Sequence, residues 1–165
     1  MKKNYLVTGG AGFIGSNIAS RLNKNNNVII FDNFLRGKRE NIEKKENYLQ
    51  IIEGDITRYK DFSKINTKID CVCHLAFLNG TKNFYEKPEL VLDIGIKGLI
   101  NVIDFCIKKN VKELILFSSS EVYHKPSKIP TDENERLVIP DIFNPRYSYS
   151  AGKILTEIMG INYGK

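Results

Sequence analysis

Tyr149 and Lys153 stand four residues apart, a spacing that puts both on one face of a helix. A free phenol ionises near pH 10. A nearby ammonium favours the phenolate, and a phenolate can take a proton from an alcohol. Bringing the phenol down to near 7 requires roughly 4 kcal/mol of differential stabilisation, so a second positive group must help the lysine. A Lys-rich chain with eight tyrosines can hold such a pair by chance, and the pair needs company. One companion is Ser118-Ser119-Ser120-Glu121, which follows the apolar run Leu114-Ile115-Leu116-Phe117. A small hydroxyl at a strand end can share a hydrogen bond with a substrate oxygen, and any of the three serines could supply it.

The second companion lies at the amino terminus. Tyr5-Leu6-Val7 runs into Gly9-x-x-Gly12-x-x-Gly15, with Phe13 and Ile14 inside the spacing. Three glycines at a strand-to-helix turn permit the tight bend, close approach to a pyrophosphate, and close packing of helix on strand. The helix amino terminus then offers unpaired N–H groups to phosphates. Asp32 ends the second apolar run, at the spacing where a carboxylate accepts from the adenosine ribose hydroxyls, with Asn33 next to it. A carboxylate there repels a 2′-phosphate and favours NAD over NADP, although Arg36 and Arg39 argue the other way. A dinucleotide cradle plus a phenol base implies redox chemistry on a hydroxyl group, with nicotinamide carrying the hydride. His74, at the end of an apolar run, reads as a structural histidine, and His124 has no neighbouring Cys or Asp to make it a nucleophile's base.

These residues need a scaffold. Apolar runs predict strands over Asn4–Thr8, Asn27–Phe31, Tyr48–Glu53, Asp70–His74 and Glu113–Ser118. Their near-continuous aliphatic character suits strands buried on both faces of a parallel sheet. Helices are expected from Gly12 to about Lys24, with an apolar stripe of Phe13, Ile14, Ile18 and Leu22; from Pro88 to about Lys108, weakened at Gly95 and Gly98; and from Tyr147 to Ile161. The stretch 125–145 holds four of the five prolines and reads as a surface loop. The fold class is therefore α/β: a Rossmann-type doubly wound parallel sheet of about five strands, forming one dinucleotide-binding domain over residues 1–165. The usual sixth strand and a carboxy-terminal substrate lobe are not found in the sequence, so the chain reads as truncated.

Composition narrows the function classes. The net charge of +6 comes from lysines scattered along the chain rather than from a block or a helical face, which argues against a nucleic-acid module. No apolar run approaches the roughly 20 residues of a membrane span. Cys71, Cys73 and Cys106 have no metal spacing; as buried free thiols they fit a reducing cytoplasm.

The spacing Gly9-x-x-Gly12-x-x-Gly15, preceded by Thr8, resembles the extended short-chain dehydrogenase/reductase family of NAD-dependent nucleotide-sugar epimerases and dehydratases. Gly54-Asp55-Ile56 is similar to the family's segment after strand three, where Asp55 and Ile56 would meet the adenine. His74-Leu75-Ala76 is similar to its turn after strand four, placing Leu75 and Ala76 beside the pyrophosphate and ribose. Registered on Val122-Tyr123, the serine cluster resembles the active-site segment, and Ser119 falls at the family's catalytic Ser/Thr position, with Ser118 and Ser120 as alternatives. The resemblance implies that Tyr149 acts as base and that Lys153 lowers its pKa and holds the nicotinamide ribose.

Glu121 discriminates within the family. Sugar 4,6-dehydratases carry Asp-Glu where this chain has Ser120-Glu121, which looks like the UDP-glucuronate decarboxylase branch; Asn83-Phe84-Tyr85 is faintly similar there too. Simple 4-epimerases need neither carboxylate. Phe77 and Gly95 depart from the family's usual small residue and Asn. The resemblance thus implies transient oxidation at the C4 hydroxyl of a nucleotide sugar, by a decarboxylase or 4-epimerase before a dehydratase, and a homodimer built through helices. The alternative is a truncated or split gene product that binds NAD without catalysing.

Overall fold

The computed structural model describes residues 2–42, 48 and 50–164; Leu49, inside the third expected strand, lies outside them. Five strands form one parallel sheet: β1 (Asn4–Thr8), β2 (Asn27–Asp32), β3 (Gln50–Glu53), β4 (Cys71–His74) and β5 (Glu113–Leu116). Their order is β3-β2-β1-β4-β5, the doubly wound arrangement. Registers are set by pairs such as Leu6 with Ile29 and with Val72. The direction of winding reverses between β1 and β4, and the carboxyl ends there are Thr8 and His74. In open α/β sheets ligands bind outside the strand ends at such a reversal.

The chain divides into two compact units, residues 1–77 with 97–117, and residues 78–96 with 118–165. The first holds the sheet, α1 (Phe13–Asn23) and α4 (Gly98–Lys108). Leu6, Val7, Ile29, Ile30 and Phe31 are fully buried, as β-branched and aliphatic runs on central strands should be. Phe31 stacks on Phe62 at 4.9 Å, and Phe62 meets Phe105 of α4 at 5.2 Å. Strand β5 ends at Leu116 rather than Ser118, because its only described partner β4 ends opposite it, at His74. Glu113 and Ile115 are exposed, and no sixth strand occurs among the described residues.

Two helix expectations are corrected. The stripe Phe13–Ile14–Ile18–Leu22 does not face the core as a whole: Phe13 and Ile14 are exposed, and the buried face is Gly15, Ser16 and Ala19. Small residues let the first turn sit close to the sheet, so bulk is excluded where apolarity alone would have placed it. The helix expected from Pro88 to Lys108 is not continuous. It begins as α3 (Pro88–Leu92), passes through a π turn at Asp93–Lys97 that contains Gly95, and resumes as α4 at Gly98. A separate short helix, α2 (Thr81–Glu86), precedes it.

The second unit comprises α2, α3, a 3-10 turn at Ser120–Tyr123, another at Pro145–Tyr147, and α5 (Ser148–Tyr163). Helix α3 and both 3-10 turns pack on α5, and α2 packs on the Pro145–Tyr147 turn. Before Pro145 the proline-rich segment has neither helix nor strand, as its turn residues predict. It is tied down by Val138 N–H donating to the Val122 carbonyl and by Ser127 donating to Glu135.

Candidate active site

The cradle belongs to the first unit. Gly9 has φ +70°, and a Cβ there would lie 2.7 Å from the Ala76 nitrogen. The β1 turn and the Leu75-Ala76 turn therefore touch backbone to backbone, which only glycine allows. At Gly15 a Cβ would lie 2.1 Å from the Gly9 carbonyl oxygen, so the helix is seated against its own entry turn. Gly12 is the N-cap of α1 and supplies no side-chain cap, leaving the first-turn amides around Phe13 and Ile14 to a ligand.

Asp32 is almost fully buried, and both its oxygens are oriented by backbone: Oδ2 accepts from Ala11 N–H at 2.9 Å, Oδ1 from Phe34 N–H at 2.8 Å. Each oxygen keeps a second lone pair for a ribose hydroxyl. Lys38 N–H and Asn41 Nδ2 both donate to the Ala11 carbonyl, fastening the segment after β2 to the glycine turn. The sequence reading missed Asn41, since a side chain bonding a backbone oxygen 30 residues away leaves no local signal.

Arg39 is engaged elsewhere: its guanidinium pairs with Glu53 and lies 4.2 Å from the Phe34 ring centroid. Asn33 donates to Asp55 at 3.3 Å. Burial opposes the Asp55 charge, yet bonds from Thr57 and Asn33 prevail and hold the carboxyl below its usual range. Ile56 is buried, its carbonyl accepting from Asn101. Leu75 N–H donates to the Thr8 carbonyl. His74 is buried, with Nδ1 at 2.7 Å from Thr8 Oγ1, as a structural histidine would be. A backbone cradle with an oriented carboxylate and no side chain filling the turn fits a dinucleotide.

The residues expected to do acid–base work belong to the second unit. Ser119 caps the Ser120–Tyr123 turn, its Oγ accepting from Glu121 N–H at 3.3 Å, and its side chain is hydrogen-bonded to Tyr149. Ser118 instead donates to Glu157 through a short bond, and Ser120 is exposed. Of the three serines considered, Ser119 is the one joined to the phenol. Tyr149 and Lys153 are buried on one face of α5, with Lys153 Nζ 5.8 Å from the Tyr149 ring centroid. Phe84 of α2 stacks on Tyr149 at 5.3 Å.

Burial pushes the Tyr149 phenol above its ordinary value; the Ser119 hydrogen bond pulls the other way, and the Glu121 charge adds to the rise. The ammonium does not override burial in the chain by itself, because it is desolvated too: burial lowers Lys153 from 10.5 to about 8. The Glu121 carboxylate is not unpaired. Arg146 Nη2 reaches its two oxygens at 3.2 and 3.1 Å.

A doubly wound sheet with a glycine turn after β1, at the reversal, and an acidic residue ending the neighbouring β2 defines a dinucleotide-binding α/β protein. The chain belongs to the NAD dependent epimerase/dehydratase family, whose model matches residues 5–165. It is 34% identical to the UDP-N-acetyl-alpha-D-glucosaminuronate decarboxylase of Bacillus cytotoxicus, over 99% of this chain and 50% of that protein. Among solved structures it is similar to a UDP-N-acetylglucosamine 4-epimerase from Methanobrevibacter ruminantium (33% identity, TM-score 0.84, covering 99% of this chain and 53% of that one). It is also similar to a UDP-glucose 4-epimerase from Bifidobacterium longum in complex with NAD+ and UDP (27% identity, TM-score 0.83, covering 97% and 48%). The chain thus spans about half the length of the relatives it matches. The family's cofactor is NAD.

Proposed function

We propose that this chain carries the NAD-binding and acid–base half of a nucleotide-sugar enzyme that transiently oxidises the C4 hydroxyl of its substrate. The observation that carries the reading is the Ser119–Tyr149 hydrogen bond with Lys153 on the same helical face. Ser119 accepts from Glu121 N–H, which leaves its own proton to give to a substrate oxygen or to Tyr149. Tyr149 removes the hydroxyl proton as base, and Lys153 steadies the phenolate and reaches the nicotinamide ribose. Gly9, Gly12 and Gly15 keep the pyrophosphate site open, with Phe13 and Ile14 amides facing it. Asp32 and Asn33 read the ribose, Asp55 and Ile56 the adenine, and Leu75 and Ala76 close the turn opposite. NAD, when bound, supplies the hydride acceptor.

Glu121 without a neighbouring acidic residue favours decarboxylation or 4-epimerisation over 4,6-dehydration, and relatives of both kinds are similar to this chain. Exposed Ile158 and Ile161 on α5, and Ile100 and Ile107 on α4, support a homodimer formed through helices. Three free buried thiols suit the cytoplasm. The edge strand β5, with Ile115 exposed, favours a second reading in which the chain binds NAD and turns over only with another polypeptide.

The test is incubation with NAD and either UDP-glucose or UDP-glucuronate, followed by proton NMR of the sugar. A C4 epimer or loss of the carboxylate as carbon dioxide, reduced about 10²-fold or more by Tyr149→Phe, is the expected result. NAD binding without either product selects the second reading, and no NAD binding removes both.

A further inference from the structure

Arg146 takes no part in the roles assigned so far, yet it sits at the junction of three of them. Its Nη2 holds both oxygens of Glu121 at 3.2 and 3.1 Å, and its guanidinium carbon lies 5.8 Å from the centroid of Phe84. Phe84, 1% exposed, stacks on Tyr149. Glu121 in turn gives its backbone N–H to Ser119 Oγ, and Ser119 bonds Tyr149. The arginine backbone is fixed as well, because Asn144 Oδ1 accepts from Arg146 N–H at 3.0 Å and caps the Pro145–Tyr147 turn.

We propose that Arg146 is a positioning residue of the acid–base site: its grip on Glu121 holds the serine turn against Tyr149 and offsets part of a carboxylate charge that opposes formation of the phenolate. The proposal rests on the reading of Tyr149 as the base. The physical logic has two parts. A hydroxyl that accepts from the backbone of its own turn points its proton away from that turn, so the turn's placement decides whether Ser119 serves Tyr149. The Glu121 charge repels a phenolate; paired with a guanidinium it acts as a dipole whose field falls off faster than that of a bare charge. As a stabilising contact the pair is weak, since about a third of each side chain is exposed. Its worth lies in what it does to its neighbours. Other ionisable groups on the elements around Tyr149 are Lys153, Glu157 and Tyr163 on α5, Glu89 on α3, Tyr123 on the serine turn, Tyr147 on the turn that holds Arg146, and Lys82, Tyr85 and Glu86 on α2, whose Phe84 stacks on it. Among these and the pair, Glu121 is the group whose charge raises Tyr149, and Lys153 is the cation over its ring.

The experiment uses the full chain labelled with ¹³C at tyrosine Cζ, the Tyr149 resonance being identified by its loss in Tyr149→Phe, and it needs neither cofactor nor sugar. Titrated by NMR, Arg146→Met is expected to move the Tyr149 midpoint upward by about 0.5–1 pH unit. Arg146→Lys should restore most of that. Arg146→Met combined with Glu121→Gln should return the midpoint to the unsubstituted value or below, because the repelling charge has gone. A midpoint unmoved by Arg146→Met, or a double variant as displaced as the single one, overturns the proposal. If a variant loses its far-ultraviolet circular dichroism before the phenol titrates, hydrogen exchange of Glu121 N–H at pH 7 reads the same turn. Arg146→Met should then speed exchange about five-fold or more and Arg146→Lys should not; equal rates in all three proteins also overturn it. Because nothing here reads NAD or turnover, failure of the proposed activity leaves this outcome legible by itself.

Discussion

Lys153 carries the clearest conflict between stability and use. An ammonium that is 5% exposed and lowered from 10.5 to about 8 is held in the fold at a cost, about 3 kcal/mol at neutral pH on the usual conversion. The unfolded chain binds the Lys153 proton up to about 10.5 and the folded chain only to about 8, so between those values the unfolded state holds more protons. Stability therefore rises with pH across that window, and the penalty is present in full below it. Lys153→Met should raise the urea midpoint at pH 7, by a margin that shrinks toward pH 10, while weakening NAD binding. A variant less stable than the original at pH 7 contradicts this account. At this scale placement was legible where a residue type and its spacing imply a position, as with Tyr149 and Lys153 on one helical face, Asp32 at a strand end and the glycines in the turn. Arg146 was not, because its partner Glu121 is 25 residues away and only the folded unit brings the two together. The raised Tyr149 phenol was not legible either, since burial is a property of the surroundings.

At the scale of elements, the first turn of α1 is fixed by what cannot fit. Gly15→Ala would drive a methyl group into the Gly9 carbonyl, a backbone atom that cannot swing aside. The expected loss is about 1–3 kcal/mol in chemical denaturation, with at least a tenfold drop in NAD affinity by calorimetry, because the amides around Gly12 move with the helix. The aromatic column of the first unit should matter in a different way. Phe62, between Phe31 and Phe105, should cost about 3–5 kcal/mol when changed to Ala, without altering any residue of the cradle. The strands were readable because residues buried on both faces must be apolar throughout. The α1 face was not, because Phe13 and Ile14 look like core and stand exposed while Gly15, Ser16 and Ala19 are packed inside. Helix α2 lacks a periodic stripe in its six residues, and the π turn at Asp93–Lys97 has no signature beyond Gly95.

For the whole molecule, charge and apolar exposure make separate predictions. The surplus of +6 is dispersed, and no helix among the described residues is long and apolar enough to cross a membrane. The proposed helix-mediated dimer would cover the exposed Ile158 and Ile161 of α5; Ile158→Glu with Ile161→Glu should convert that dimer, measured by light scattering, to a monomer without changing the fold. An unsubstituted chain that is already monomeric at tens of micromolar removes the helix-mediated dimer. The central claim is that the glycine turn and Asp32 hold NAD, and titration calorimetry of the full chain tests it most directly. NAD should bind with a dissociation constant below about 1 mM, Asp32→Ala should weaken it at least tenfold, and NADP should bind more weakly than NAD. No heat with NAD at that concentration, or equal affinity for NADP, would contradict the account.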